Sequence, residues 1–458
     1  MVAESKIPRL QRIILKEVGP FNDVTIEFPE TTSPGKANVY LLTGPNGCGK
    51  STVLYAVAAG LGAGWAEFGR EYVSRRLRSA KALAAMDFGL FQAAVTPRAL
   101  HNSPLCSPFS PNIDLQHFST SREGSQLFVG GESQQNVESY EKRAFYDAQL
   151  PPEGRHRHAW AAFAYAGTRS IESYEVTTIQ ALKGNPLQNS LSFMNSSEVK
   201  QFAQWFVYNE FERMKAAERG NLEQAEEYRT AVTAMEKVIS KIVGEPVHFE
   251  MPDVGNNPAV VFNGRKLEMD LLPEGLKSII SWVCDLLMRL DRIPWENDTP
   301  VLERCFVLLL DEIDIHLHPT WQRRVLPMVQ ELFPNAQIIA TTHSPFVVSS
   351  VKEATVIPLN LTDGVATAGQ PVQAKAGAAF GTVLRALFGI EIEFDVETEK
   401  YFRDFYNAKA KLLAGEGSWE TDIQPLVAWL ADRSDEVRDL IGMEVAQLKR
   451  QLTQVASA

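Results

Sequence analysis

Nine consecutive residues hold the most specific chemistry in the chain: Gly44-Pro45-Asn46-Gly47-Cys48-Gly49-Lys50-Ser51-Thr52. Their pattern, G-x-x-x-x-G-K-S, is that of a phosphate-cradling loop. Glycines at these positions let the backbone fold tightly, with its N–H groups aimed inward at phosphate oxygens. The loop follows an apolar run, Val39 to Leu42, and opens a helix-like segment, Thr52 to Ala59. The positive end of that helix adds to the attraction. Lys50 has the reach for β- and γ-phosphates, and the Ser51 hydroxyl suits a Mg²⁺ ion.

A second set of reactive residues closes two apolar strands. Phe306 to Leu310 reads as the strongest strand of the chain and ends in Asp311-Glu312, which places both carboxylates at the C-terminal edge of a sheet, beside the phosphate loop. There Asp311 would hold Mg²⁺ through its water shell, and Glu312 would polarise an attacking water. The strand Gln337 to Ala340 ends in Thr341-Thr342-His343-Ser344-Pro345. His343 either bonds a γ-phosphate or serves as a satisfied structural histidine. Arg169, just past the apolar run Trp160 to Ala166, reads as a ligand contact or as an ion pair. The cluster Arg155-His156-Arg157-His158 has no third metal ligand nearby and reads as surface. Arg75, Arg76, Arg78 and Lys81, on a helix expected over Glu71 to Ala85, form a solvated face or a phosphate-facing stripe.

These residues need a scaffold, and its elements alternate. Arg12 to Lys16, Val24 to Phe28 and Val39 to Thr43 read as three short strands before the loop. Ser196 to Val243 reads as two apolar-periodic helices broken near Gly220-Asn221, each about 30 Å long. Ala259 to Phe262 and Arg265 to Leu267 form a hairpin around Asn263-Gly264. Leu271 to Ser278 feeds a helix to Leu290, and another helix, Thr320 to Leu332, lies between the strands at 306 and 337. Strands alternating with helices predict a mostly parallel sheet between helical layers. Thr355 to Leu359 reads as a final strand, placed at a sheet edge by Pro358. Residues 101–157 read as a loop-rich insertion with short candidate strands such as Gln126 to Val129. Gly364 to Gly377 reads as a linker, followed by helices over Phe380 to Gly389, Val396 to Leu413, Asp422 to Ala431 and Ser434 to Leu452.

Composition narrows the classes. A chain of 458 residues with 45% hydrophobic and 22% charged residues is long enough for about two to three globular domains. Its net charge of −11 leaves any nucleic-acid contact to a local patch. The four cysteines, Cys48, Cys106, Cys284 and Cys305, include no C-x-x-C pair, which fits reduced thiols. Neither a signal peptide nor an apolar run of spanning length is present, so a cytoplasmic location is expected.

The order of motifs resembles the ATP-binding-cassette (ABC) ATPases of the RecF, SMC and OLD (overcoming lysogenization defect) group. The matching stretches are 44–52, Leu272-Pro273-Glu274-Gly275, Asp311-Glu312, His316-Leu317-His318-Pro319 and Thr341-Thr342-His343-Ser344-Pro345. Asp-Glu-Ile-Asp-Ile-His-Leu-His-Pro followed by Thr-Thr-His-Ser-Pro looks like the OLD-like branch, which supplies ATPase subunits to bacterial anti-phage systems such as Septu, PARIS and retron-linked modules. The resemblance implies an α/β ABC-ATPase head over residues 1–362. It would have a mostly parallel sheet, N-terminal antiparallel strands and insertions at 101–157 and 196–243. A linker and small α-helical C-terminal module would fill 363–458.

The resemblance further implies ATP and Mg²⁺ as cofactors, and a homodimer in which each ATP lies between one protomer's phosphate loop and its partner's signature element. Higher homo-oligomers fit the same pattern. Pro273 and Gly275 would face the partner's γ-phosphate. The family usually has Ser where Pro273 stands, so one donor is missing and slow turnover is expected. A Mg²⁺-sensing glutamine should follow the phosphate loop; Gln92 is a candidate, with Gln116 and Gln126 as alternatives. His316 and His318 either touch the opposite nucleotide or pack on the sheet edge.

Residues 363–458 carry no paired-carboxylate cluster of the kind a fused nuclease needs. The function expected from this is an ATPase sensor or scaffold in phage defence, acting through a separately encoded nuclease or toxin. The alternative is a RecF-like repair ATPase that binds DNA directly; a membrane transporter's nucleotide-binding subunit ranks third.

Overall fold

The computed structural model of the protein describes residues 9–30, 35–61, 75–79, 81–89, 91–95, 105–108, 157–168, 176–193, 198–251, 257–351, 353–374 and 394–456. Arg155, His156, Arg169, Gln116, Gln126, most of the 101–157 insertion and the helix expected over 380–389 lie outside them.

β1 (Arg12–Val18) and β2 (Phe21–Glu27) pair antiparallel across Gly19-Pro20. β3 (Asn38–Thr43) is buried throughout and runs into the phosphate loop and α1 (Lys50–Leu61). β4 (Leu83–Asp87) pairs with β1, and β5 (Phe91–Val95) and β6 (Leu105–Pro108) extend this antiparallel side. The helix expected over Glu71 to Ala85 is not formed where the chain is described. Residues 75–79 make a turn bridged through Leu77 to Val18, and the alanines of β4 are buried on both faces as a strand. The arginines there are tied down. Arg78 Nη2 donates to Phe21 O at 2.7 Å, and Arg76 Nε donates to Thr52 Oγ1 at 3.3 Å.

β7 (Ala161–Tyr165) follows, then the helical hairpin α2 (Glu198–Glu218) and α3 (Leu222–Val243), broken at Gly220-Asn221 as the periodicity predicts. Asn221 caps α3 by accepting from Gln224 N. A small antiparallel sheet, β8 (Val247–Glu250), β9 (Ala259–Phe262) and β10 (Arg265–Glu268), precedes α4 (Glu274–Arg292), which packs against both hairpin helices. The rest alternates: β11 (Phe306–Leu310), α5 (Pro319–Leu332), β12 (Ala336–Thr341), α6 (Pro345–Ser350), β13 (Thr355–Thr362), β14 (Val365–Ala368) and β15 (Val372–Gln373).

The main sheet runs β6-β5-β4-β1-β2-β14-β13-β3-β12-β11-β7, with β15 beside β13. β13, β3, β12, β11 and β7 are mutually parallel. Buried on both faces, they are nearly continuous apolar runs. The register aligns Leu42 with Thr341, Ala340 with Leu310, and Leu310 with Tyr165. Four strand ends therefore open at one level of the sheet.

Two expectations change near residue 360. β13 is an interior strand, with β3 on one side and β15, then β14, on the other. Pro358 is accommodated because it falls between the two antiparallel neighbours, where the ladder asks no N–H of it. The stretch expected as a linker contains β14 and β15, so the sheet continues past residue 362.

The chain divides into two compact units, Met1–Val383 and Leu384–Ala458. The second comprises α7 (Val396–Leu413), α8 (Gln424–Ala431) and α9 (Asp435–Ala456), around Phe402, Phe405, Ile423, Leu430, Val437, Ile441 and Leu448. Tyr401 stacks on Trp429 at 3.6 Å, and Asp395 caps α7. Among the described residues no helix is long and apolar enough to cross a membrane.

Candidate nucleotide site

The phosphate loop is shaped by the strand beside it. Gly44 has φ +141°, and a Cβ there would lie 2.1 Å from Leu359 O of β13, so no other residue fits. Pro45, Asn46 and Gly47 are exposed at the tip, and Cys48 is buried beneath them. Lys50 Nζ donates to Gly44 O at 2.9 Å and to Pro45 O at 3.0 Å, and lies 3.8 Å from Cys48 Sγ. Burial pushes the Lys50 ammonium below its usual range, opposed by the nearby Cys48 sulfur and by the carboxylates of Asp311 and Glu312, while burial raises the Cys48 thiol.

The ends of β11 and β12 meet α1 at one carboxylate. Ser51 Oγ donates to Asp311 Oδ1 at 3.0 Å, and Thr341 Oγ1 donates to the same oxygen at 2.6 Å. Thr341 Oγ1 in turn accepts from Glu312 N at 2.7 Å. Glu312 adopts φ +45°, a left-handed conformation that costs a non-glycine residue about 1 kcal/mol or more. The bond from its N–H and the packing around it hold this turn in place.

The loops beyond are zipped together by polar side chains. Asp314 Oδ1 accepts from Thr342 Oγ1 at 2.6 Å and from His343 N at 3.2 Å. Ser344 caps α6 and donates to Gln322 Oε1 at 2.7 Å, while Gln322 Nε2 donates to Leu317 O at 2.9 Å. His343 is exposed at this level. Although its ring is open to solvent, partial desolvation and then the charge of Lys50 hold its pKa below the ordinary histidine value.

Pro273 and Gly275 stand at the start of α4. Pro273 is its exposed N-cap, and its carbonyl accepts from Leu276 N at 2.9 Å and Lys277 N at 3.0 Å. Gly275 is buried: a Cβ there would lie 2.8 Å from His316 O and 3.0 Å from the Trp321 ring. Within one chain Gly275 therefore packs on the segment after Glu312. His316 has φ +61° and is exposed. His318 caps α5 by accepting from Thr320 N at 3.3 Å, which gives it a structural part.

The structure thus brings together residues 44–52, Asp311, Glu312 and His343. Gln92 it places in β5, opposite Asp87 and Ser107 on the antiparallel side, not in the loops that follow the parallel strands. Thr341, Asp314 and Gln322 are the members that sequence reading missed. Thr341 stood inside the quoted Thr-Thr-His-Ser-Pro run, but nothing in a linear sequence shows that its hydroxyl joins two carboxyl-bearing residues.

The fold is an ABC-ATPase-like α/β fold, with a mixed sheet whose central strands are parallel. Two family models match the chain: "AAA domain, putative AbiEii toxin, Type IV TA system" over residues 260–349, and "AAA domain" over residues 12–76. The chain is homologous to the Septu protein PtuA of Bacillus thuringiensis, with 22% identity over 76% of each chain. It is 36% identical over 104 residues, 23% of its length, to the "Retron Vc95 probable ATPase" of Vibrio cholerae serotype O1 biovar El Tor. The matched regions span 20% and 16% of the retron relatives from Vibrio cholerae and Escherichia coli. Among solved structures, an SMC head bound to the C-winged helix domain of ScpA aligns over 80% of this chain and 98% of that one, at 12% identity and a TM-score of 0.44.

Proposed function

We propose that the protein binds ATP and hydrolyses it slowly, as the ABC-type ATPase of an anti-phage system that controls a separately encoded effector such as a nuclease. The observation that carries the chemistry is the hydrogen-bonded chain Ser51–Asp311–Thr341–Glu312, assembled at the C-terminal ends of β11 and β12 beside the phosphate loop. The homology to PtuA and to retron ATPases carries the biological setting.

The loop N–H groups and the start of α1 would bind the β- and γ-phosphates, with Lys50 leaving its carbonyl partners to reach them. Ser51 and Asp311 offer two hard oxygen donors 3.0 Å apart, a set that fits Mg²⁺. When bound, Mg²⁺ neutralises charge on the β- and γ-phosphate oxygens. Glu312 would orient the attacking water and take its proton on a carboxylate oxygen. His343 would donate a ring N–H to the γ-phosphate.

In this reading the site is completed by a second copy, whose Pro273 and α4 N-terminus approach the γ-phosphate. With Pro273 supplying no hydroxyl, ATP acts in part as a clamp between heads, and the clamped assembly is what an effector reads. The test uses purified protein. ATP turnover that is lost in Glu312→Gln, together with an effector pulled down in a nucleotide-dependent way, supports the proposal. DNA degradation by the protein alone, abolished in Glu312→Gln, would remove the need for a separate effector.

A further inference from the structure

Strand β7 flanks β11, and its C-terminal end reaches the same level as Asp311 and Glu312. Asp311 N donates to Tyr165 O at 2.9 Å, which fixes the two ends side by side. Two residues further on stands Gly167, buried, with a φ that any residue can adopt. Its backbone therefore does not require glycine; its surroundings do. A Cβ at this position would lie 2.6 Å from Glu312 Oε2, 2.7 Å from Glu312 Cβ and 3.1 Å from its carboxyl carbon.

We infer that Gly167 is a positioning residue for the Glu312 carboxylate: its bare α-carbon leaves the space that the Glu312 side chain fills. This rests on the ATPase reading above.

The three contacts differ in how they could be relieved. The carboxylate oxygen can swing away by rotation about the side-chain bonds. The Cβ of Glu312 cannot, because its direction is set by a backbone at φ +45°. Moving that backbone pulls Glu312 N from Thr341 Oγ1, and Thr341 is the donor to Asp311. One methyl at position 167 would thus displace the water-polarising carboxylate and disturb the Asp311 carboxylate with it. The phosphate loop follows β3, on the far side of β12 from β7, and meets this disturbance only through the Ser51–Asp311 bond. Gly167 acts through Glu312 and does not touch ATP.

The experiment compares wild type, Gly167→Ala, Glu312→Gln, Glu312→Gly and the double variant Gly167→Ala/Glu312→Gly for kcat, KM, ATP affinity and Tm. Gly167→Ala is expected to lower kcat roughly 10²-fold, as a misplaced group about 1 Å from its working position does. ATP affinity should fall far less than kcat, since the loop N–H groups and Lys50 that hold the phosphates do not touch Gly167 or Glu312. Where Gly167→Ala lowers Tm, removing the Glu312 side chain removes the clash, so the double variant should recover the Tm of Glu312→Gly. Unchanged kcat in Gly167→Ala, or a double variant that keeps the full Tm loss, overturns the inference. The Tm cycle reads the contact without any chemistry. Full turnover in Glu312→Gln would instead refute the water-polarising role of Glu312 on which the inference rests, and leave the contact to be judged by the cycle alone.

Discussion

Ser51 Oγ and Asp311 Oδ1 lie 3.0 Å apart across 260 residues of chain. That bond fastens the first turn of α1 to the end of β11, and Thr341 adds the end of β12 through the same oxygen. Three elements distant in sequence are thereby fixed around the place where Mg²⁺ and the γ-phosphate would sit. The relationship sets what each substitution should do.

Asp311→Asn keeps shape and removes the charge. The variant should lose Mg²⁺-dependent stimulation, with turnover reduced about 10²-fold or more, the scale seen when one charge-stabilising group is removed. Chelating Mg²⁺ from the wild type should produce a comparable loss. Equal turnover with and without the chelator would contradict the assignment of Ser51 and Asp311.

Thr341→Val is nearly isosteric and deletes both hydrogen bonds at once. It leaves the Glu312 N–H without its acceptor and Asp311 short of a donor, at a cost of about 2–3 kcal/mol in unfolding free energy. Thr341→Ser should restore most of it. Denaturant titration reads the stability and steady-state assays the turnover. A valine variant as stable and active as wild type would show that the bonds carry nothing.

ATP binding should take up a proton through His343. In the free protein burial and Lys50 hold its pKa below the ordinary value of about 6.5. A γ-phosphate within hydrogen-bonding reach stabilises the charged imidazolium and raises that pKa on binding. Between the two values binding gains a proton, so affinity rises as pH falls through this window. Calorimetry near pH 6 in buffers of different ionisation heat measures the uptake. His343→Ala should retain only the titration of ATP itself; the same uptake in both proteins would place His343 away from the phosphate.

Pro273→Ser should speed hydrolysis. The wild type is expected to turn over below about ten per second, a typical enzyme median. A serine hydroxyl at the α4 N-terminus would add a donor worth up to roughly 10²-fold. Because the donor acts on the partner's ATP, the gain should appear only at concentrations where heads associate. A slower Pro273→Ser enzyme would refute the reading of the missing hydroxyl.

The parts of the site that were legible in the sequence are those in which a motif carries its own geometry. The phosphate loop needs only its glycines, Lys50 and the flanking strand and helix. Asp311-Glu312 and His343 were legible because a short apolar run giving way to polar residues marks the end of a parallel strand. What stayed hidden depends on pairings between distant segments. Leu83 to Ala85, the start of β4, read as the end of a helix because alanine favours helices when nothing packs on it, yet both faces of β4 are covered in the sheet. Pro358 suggested an edge, but it sits where one antiparallel neighbour of β13 gives way to another. The roles of Thr341 and Gly167 exist only once β7, β11 and β12 lie side by side.

The most direct test compares Lys50→Ala with Glu312→Gln in sedimentation with ATP and Mg²⁺. Lys50→Ala should bind no nucleotide and stay at the size of the nucleotide-free protein. Glu312→Gln should hold unhydrolysed ATP in a larger assembly that persists after free ATP is removed. If the two variants behave alike, the site is not one that Lys50 fills and Glu312 empties, and the account fails.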